Sequence, residues 1–247
     1  NRQGRVAAEN ICGRDTTFGE VQGTSIVKMF DMVAGGTGAN QKQLTAAGIP
    51  FERVQVHPSG HAGYYPGTAK MHLKVLFEPE TGKLLGAGCV GFDGVDKRID
   101  VLATAIRAGM TIFDLQELEL AYAPPLGSAK DPVNIAGYVA GNLLKGDLTE
   151  NHWNDLDGAD IQETVVIDLR TTPEIKEFGK IDPSVHIPID GLRDHLPNLD
   201  RTKTYLLYCA AGLRGYVGYR IMVQNGFNVT NLAGGYLTYA GAQKSTH

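Results

Sequence analysis

Residues 205–216, Tyr205-Leu-Leu-Tyr-Cys209-Ala-Ala-Gly-Leu-Arg214-Gly-Tyr216, decide how the second half of the chain folds. The apolar run up to Cys209 reads as a buried strand, and residues 212–224 carry a helix. A strand that ends in a tight loop and feeds a helix N-terminus makes an anion site, because successive backbone N–H groups point into the loop and the helix dipole adds partial positive charge. That environment favours the thiolate form of a cysteine placed in it. Gly212 lets the backbone curl and Arg214 supplies a permanent positive charge. Such a cradle can hold an anionic sulfur chain or a phosphate. The competing reading is an inert cysteine packed at a strand end.

Around that loop, strands and helices alternate. Residues 165–167 form a buried strand, 173–178 a helix, 205–209 a second strand and 228–232 a third, which predicts a small parallel sheet. The first half has a different rhythm. Residues 24–34 are rich in strand formers and end at Gly35-Gly36, 40–47 read as a short helix closed by Gly48, and 51–56 as a strand. Met71, Leu73, Val75 and Phe77 alternate with polar residues in a half-buried strand, and Glu80-Thr-Gly82 turns the chain into another over 83–90. Residues 95–108 show helical spacing, and Asp131-Pro132 caps and opens a further helix running to Gly146. This is an α+β pattern built on antiparallel strands, followed by a small α/β domain. The polar stretch 147–160 reads as the linker between them. Residues 1–12 read as a helix with too few apolar positions to stand alone, which predicts a piece of a longer protein.

Composition narrows the function classes. With 247 residues, 43% hydrophobic and 20% charged, the chain is of ordinary globular type. A net charge of −4 with scattered histidines gives no reason to expect a nucleic acid partner. No apolar run approaches the ~20 residues of a membrane span. Cys12, Cys89 and Cys209, odd in number and widely spaced, argue against a disulfide framework or a zinc site and predict a cytoplasmic protein. Cys12 and Cys89 are expected to be packed. Asp93, Asp96 and Asp100 lack a metal-loop spacing and read as capping and a solvated face, so no metal is expected. No G-x-G-x-x-G follows a strand, so there is no dinucleotide fingerprint.

Four ordered motifs resemble the rhodanese family: Val166-Ile-Asp-Leu-Arg170 followed by Thr-Pro-Glu174; Val185-His-Ile-Pro-Ile-Asp190 with Leu192; Tyr208-Cys-Ala-Ala-Gly-Leu-Arg-Gly-Tyr216; and Asn225-Gly-Phe-Asn-Val-Thr-Asn-Leu-Ala-Gly-Gly-Tyr236. The resemblance implies catalytic Cys209 and Arg214. It also implies a persulfide cradle of Ala210, Ala211, Gly212 and Leu213, and structural support from Asp168 and Arg170, paired with each other or capping the loop. A loop of this length implies sulfur transfer, since related phosphatases carry one more residue. Gly179-Lys180-Ile181 departs from the family's frequent Gly-His-Ile, at a position that bears on fold more than chemistry.

The first half also has a likeness. Asn1-Arg-Gln-Gly-Arg, Gly23-Thr-Ser-Ile-Val-Lys, Tyr64-Tyr-Pro-Gly67 and Tyr122-Ala-Pro-Pro-Leu-Gly-Ser-Ala-Lys-Asp131 resemble coenzyme A-disulfide reductases and NADH-dependent persulfide reductases, members of the flavin- and pyridine-nucleotide-dependent disulfide oxidoreductases. This implies a remnant of the FAD-binding domain over 1–23, a dimerisation domain over 24–146 and a rhodanese domain over 161–247. It implies a cytoplasmic homodimer that in intact form uses FAD and NAD(P)H, with coenzyme A and other small thiols or persulfides as substrates. Tyr122, with Tyr64 favoured over Tyr65, would reach the partner subunit's active site. The fragment alone is then expected to lack reductase activity and to transfer sulfur through Cys209. The alternative from another class is a dimerisation and docking module whose rhodanese loop is inert.

Overall fold

The computed structural model describes residues 1–156 and 163–245. The expected linker and the start of the expected rhodanese domain fall partly on 157–162, outside the described residues. Helix α1 (Arg2–Ile11) opens the chain, and none of its residues is buried. Strands β1 (Ser25–Met29) and β2 (Met32–Gly38) form an antiparallel hairpin with Met29 opposite Met32. The strand-forming stretch 24–34 thus supplies β1 and the start of β2. Phe30 turns the chain at φ 53°, the left-handed conformation that two-residue hairpin loops require and that aromatic residues rarely adopt.

Helix α2 (Gln41–Ala46) starts with a reciprocal cap between Asn40 and Gln43. Strands β3 (Glu52–Val56), β4 (His72–Phe77) and β5 (Leu84–Gly91) complete a five-stranded antiparallel sheet in the order β1-β2-β5-β4-β3. Helix α3 (Val95–Arg107) lays Val95, Ile99, Leu102 and Ala105 on that sheet. Helix α4 (Ile112–Glu117), a further element beyond those expected, follows, capped by Thr111 and Asp114. Helix α5 (Pro132–Leu144) begins at the Asp131 cap as expected and buries Val133, Ala136 and Ala140 in the same core.

The stretch read as a linker contributes structure. Strand β6 (Glu150–Asn151) pairs in parallel with the last strand of the second sheet. Two residues show no periodicity, so only the partner strand reveals them. Then come β7 (Thr164–Asp168), α6 (Thr172–Phe178), β8 (Val185–His186), α7 (Leu192–His195), β9 (Thr204–Tyr208), α8 (Leu213–Gln224), β10 (Asn228–Leu232) and α9 (Gly235–Ser245). The second sheet is parallel throughout, in the order β6-β10-β9-β7-β8. Alternation along β9 divides its faces: Tyr205, Leu207 and Cys209 meet Tyr219 and Met222 of α8, while Leu206 and Tyr208 meet Leu232 and the α9 tyrosines Tyr236 and Tyr239.

Apolar packing and hydrogen bonds among the described residues join the halves. Val139 and Leu143 of α5 pack against both cores. The buried His57 and Thr238 side chains hydrogen-bond across the seam at 2.7 Å, and Arg53 donates to Asn154 at 2.9 Å. No helix among the described residues is long and apolar enough to cross a membrane.

Candidate functional site

Cys209 follows the last residue of β9 and is 2% exposed. The Gly212 N–H donates to its Sγ at 3.2 Å, so the loop curls back over the sulfur. That curl requires Gly212 at φ 108°, which residues with a Cβ rarely adopt. Helix α8 begins at Leu213, so Arg214 lies in its first turn. From behind, the first N–H groups of α9 hold the loop: Tyr236 N donates to the Cys209 carbonyl at 2.8 Å and Leu237 N to Ala210 at 3.0 Å. Gly235 makes this approach possible, since a Cβ there would lie 2.4 Å from the Cys209 carbonyl oxygen. The double glycine read at the end of the chain thus brings a helix against the sulfur loop, and that helix went unread in the sequence.

Asp168 and Arg170 are paired. Arg170 donates to the Asp168 carboxylate through Nε and Nη2, the latter at 2.7 Å, and to the Gly179 carbonyl at 2.7 Å. Its guanidinium lies 4.0 Å from the centre of the Tyr236 ring. Both residues are buried, so their charges are spent on each other and on bracing β7, β9 and α9. The departure at Gly179-Lys180-Ile181 leaves this frame intact. Ile181 N donates to the Tyr208 hydroxyl, whereas Lys180 pairs with exposed Asp182.

Arg214 does not stand free beside the sulfur. It donates to both carboxylate oxygens of Glu174, at 2.8 and 2.6 Å. Glu174 also accepts from the backbone and hydroxyl of Thr171. Its hydrogen bond from Arg214 above all holds it well below the usual carboxylate range, at about 2. Arg214 is pushed up chiefly by Glu174, with a smaller contribution from Cys209. Glu174 stands within a rhodanese-like motif that implies no role for it; the Thr171-x-x-Glu174 cap is the sequence signal for its orientation.

In the antiparallel half, the structure brings Tyr64 and Tyr122 together, their hydroxyls 3.2 Å apart and both side chains exposed. The Tyr122 phenol is pushed up, chiefly by this hydrogen bond. Tyr65 instead sits edge-on to His61. These tyrosines form a cluster of their own on the other sheet's domain. Cys89 is buried beside Met71, and burial pushes its thiol up to about 12. Cys12 is exposed at the end of α1, contrary to the expectation that it packs, because that helix offers it no covered face. Among the described residues no group of three metal-ligating side chains could hold an ion.

Comparison with known proteins matches residues 24–132 to the pyridine nucleotide-disulphide oxidoreductase dimerisation domain, and residues 149–242 to the rhodanese-like domain. The chain joins a dimerisation domain of the disulfide oxidoreductases to a rhodanese-like domain. The coenzyme A disulfide reductase of Staphylococcus haemolyticus is 42% identical over 144 residues, which is 58% of this chain and 32% of that protein. The structure of reduced Bacillus anthracis CoADR-RHD superposes with a TM-score of 0.94 at 42% identity, covering 99% of this chain and 44% of that one. An NAD-dependent persulfide reductase from A. fulgidus gives 0.84 at 38% identity, covering 94% and 42%. The chain therefore spans less than half the length of these relatives.

Proposed function

We propose that Cys209 carries sulfane sulfur. The observation that supports this best is the closed loop in which the Gly212 N–H points at Sγ over the start of α8. In the transfer, the Cys209 thiolate attacks the outer sulfur of an organic persulfide, R–S–SH. The donor S–S bond breaks, R–S⁻ leaves with the electron pair, and Cys209 becomes Cys–S–SH. An acceptor thiolate reverses the step. Backbone N–H groups of Ala210–Leu213 stabilise the charge on the outer sulfur.

The dimerisation domain, proposed over 24–146, makes the protein a homodimer, and the rhodanese domain, proposed over 161–247, serves a coenzyme A-disulfide or coenzyme A-persulfide reductase of the cytoplasm. Residues 1–23 would belong with the flavin domain. FAD and NAD(P)H supply reducing power in such an enzyme. Tyr64 and Tyr122, two exposed phenols at one point, fit the rim of a site completed by another subunit, and no other described residue is assigned to the flavin. The described residues alone are not expected to reduce disulfides. Incubation with an organic persulfide followed by cyanolysis tests the sulfur-carrying role: thiocyanate should form with the native chain and not with Cys209→Ala. Equal thiocyanate from both would favour the docking-module alternative.

A further inference from the structure

The Cys209 loop, Cys209-Ala-Ala-Gly-Leu-Arg214, contains one basic side chain, and that side chain is ion-paired. Glu174 takes both arms of the Arg214 guanidinium, and Thr171 anchors Glu174 from behind through its backbone N–H and hydroxyl. The remaining cations on the bounding elements do not replace it. Arg170 is committed to Asp168 and Arg220 to Asp147. Lys176 is two residues from Glu174, on another side of α6. The sulfur is therefore presented to its donor by backbone dipoles and by an Arg214 whose charge Glu174 largely offsets.

Sulfur donors differ in the charge they bring. Thiosulfate reacts as a dianion: the Cys209 thiolate attacks its outer sulfur, the S–S bond breaks, sulfite leaves as a dianion, and Cys–S–S⁻ remains. Three negative charges then share the loop, and their mutual repulsion is relieved only by a free cation. An organic persulfide brings at most one charge at its reacting end.

We propose that Glu174 sets donor specificity at Cys209: by cancelling the Arg214 charge it admits organic persulfides and turns away small dianions such as thiosulfate. Glu174 is a positioning residue that acts through Arg214. The inference rests on the sulfur-carrying role proposed above, and its test separates the two.

Glu174→Gln keeps a side-chain oxygen for Thr171 and leaves the guanidinium charge uncancelled. Steady-state transfer to cyanide is measured with thiosulfate and with glutathione persulfide, for the native chain, Glu174→Gln, and Glu174→Gln combined with Arg214→Gln. The single variant should lower KM for thiosulfate about tenfold, the size expected from one partly screened charge near the loop. Its KM for the persulfide should move less than about threefold on the same reasoning, and the double variant should lose the thiosulfate gain. An unchanged preference between the donors, or a gain that survives removal of Arg214, overturns the inference while leaving the sulfur-carrying role standing. Absence of sulfur on Cys209 from either donor, in a native chain with an unaltered circular dichroism spectrum, overturns both.

Discussion

Replacing Glu150 by glutamine changes one buried carboxylic acid into its neutral counterpart, and the consequence depends on pH. Glu150 lies opposite Asn231 in the β6–β10 pair and accepts from its side-chain amide at 2.8 Å. Its other oxygen is shut off from solvent and has no partner among the described residues, and the same holds for the side-chain oxygen of Asn231. Burial pushes this acid up from 4.5 to about 7, against the smaller opposing effect of Asn231. A raised folded pKa means that the native state keeps a proton the unfolded chain releases. The associated stability is complete below 4.5 and is lost as pH rises through about 7. The separation corresponds to about 3 kcal/mol. The glutamine amide does not ionise and carries no such penalty, so Glu150→Gln should gain up to about 3 kcal/mol on the native chain between pH 5 and pH 9. Urea unfolding at a series of pH values, followed by far-ultraviolet circular dichroism, measures the difference. Parallel stability profiles for the two proteins across that range would refute the reasoning.

The histidines of the domain seam should act in the opposite direction. His57 is held down at about 3 and His152 at about 4, both chiefly by burial, so the unfolded chain binds protons that the folded one refuses as pH falls below 6.5. Stability should drop over that acid limb, and His57→Gln should flatten it; an unchanged slope in urea titrations between pH 4 and 7 would contradict this. Arg98→Met removes the nearer of two cations paired with buried Asp131, at 2.9 Å against 3.7 Å for Lys97, while also losing the bond to the Gly60 carbonyl, and should cost about 3 kcal/mol. Denaturant unfolding reads that loss directly. Gly235→Ala places a Cβ against the Cys209 carbonyl at a φ of +59° and should cost about 1–3 kcal/mol while reducing sulfur loading. A variant with native melting temperature and native loading would show that the loop has room to spare.

The parts legible in the sequence were those carried by local patterns. The strand–loop–helix at Cys209, the alternation of β4 and the Asp131-Pro132 helix start each depend on neighbours within a dozen residues, and the structure places all three as read. What escaped depends on distant partners or on rare conformations. Glu174 meets Arg214 across 40 residues, and that contact offsets the charge the loop offers its sulfur. Glu150 finds Asn231 across 81 residues, inside a stretch whose polarity reads as a linker. Phe30 adopts a left-handed turn that no glycine or asparagine announces. Helix α9 follows a double glycine, whose role rests on the room the distant Cys209 carbonyl needs.

Mass spectrometry of the chain after exposure to an organic persulfide and removal of excess reagent tests the sulfur-carrying role most directly. Peptide mapping should place a one-sulfur adduct on Cys209, reversed by cyanide or by a thiol acceptor. Exposed Cys12, outside any cradle, should hold no comparable cyanide-labile sulfur. An unmodified Cys209 in a folded chain, or an adduct distributed equally between Cys209 and Cys12, would contradict the account.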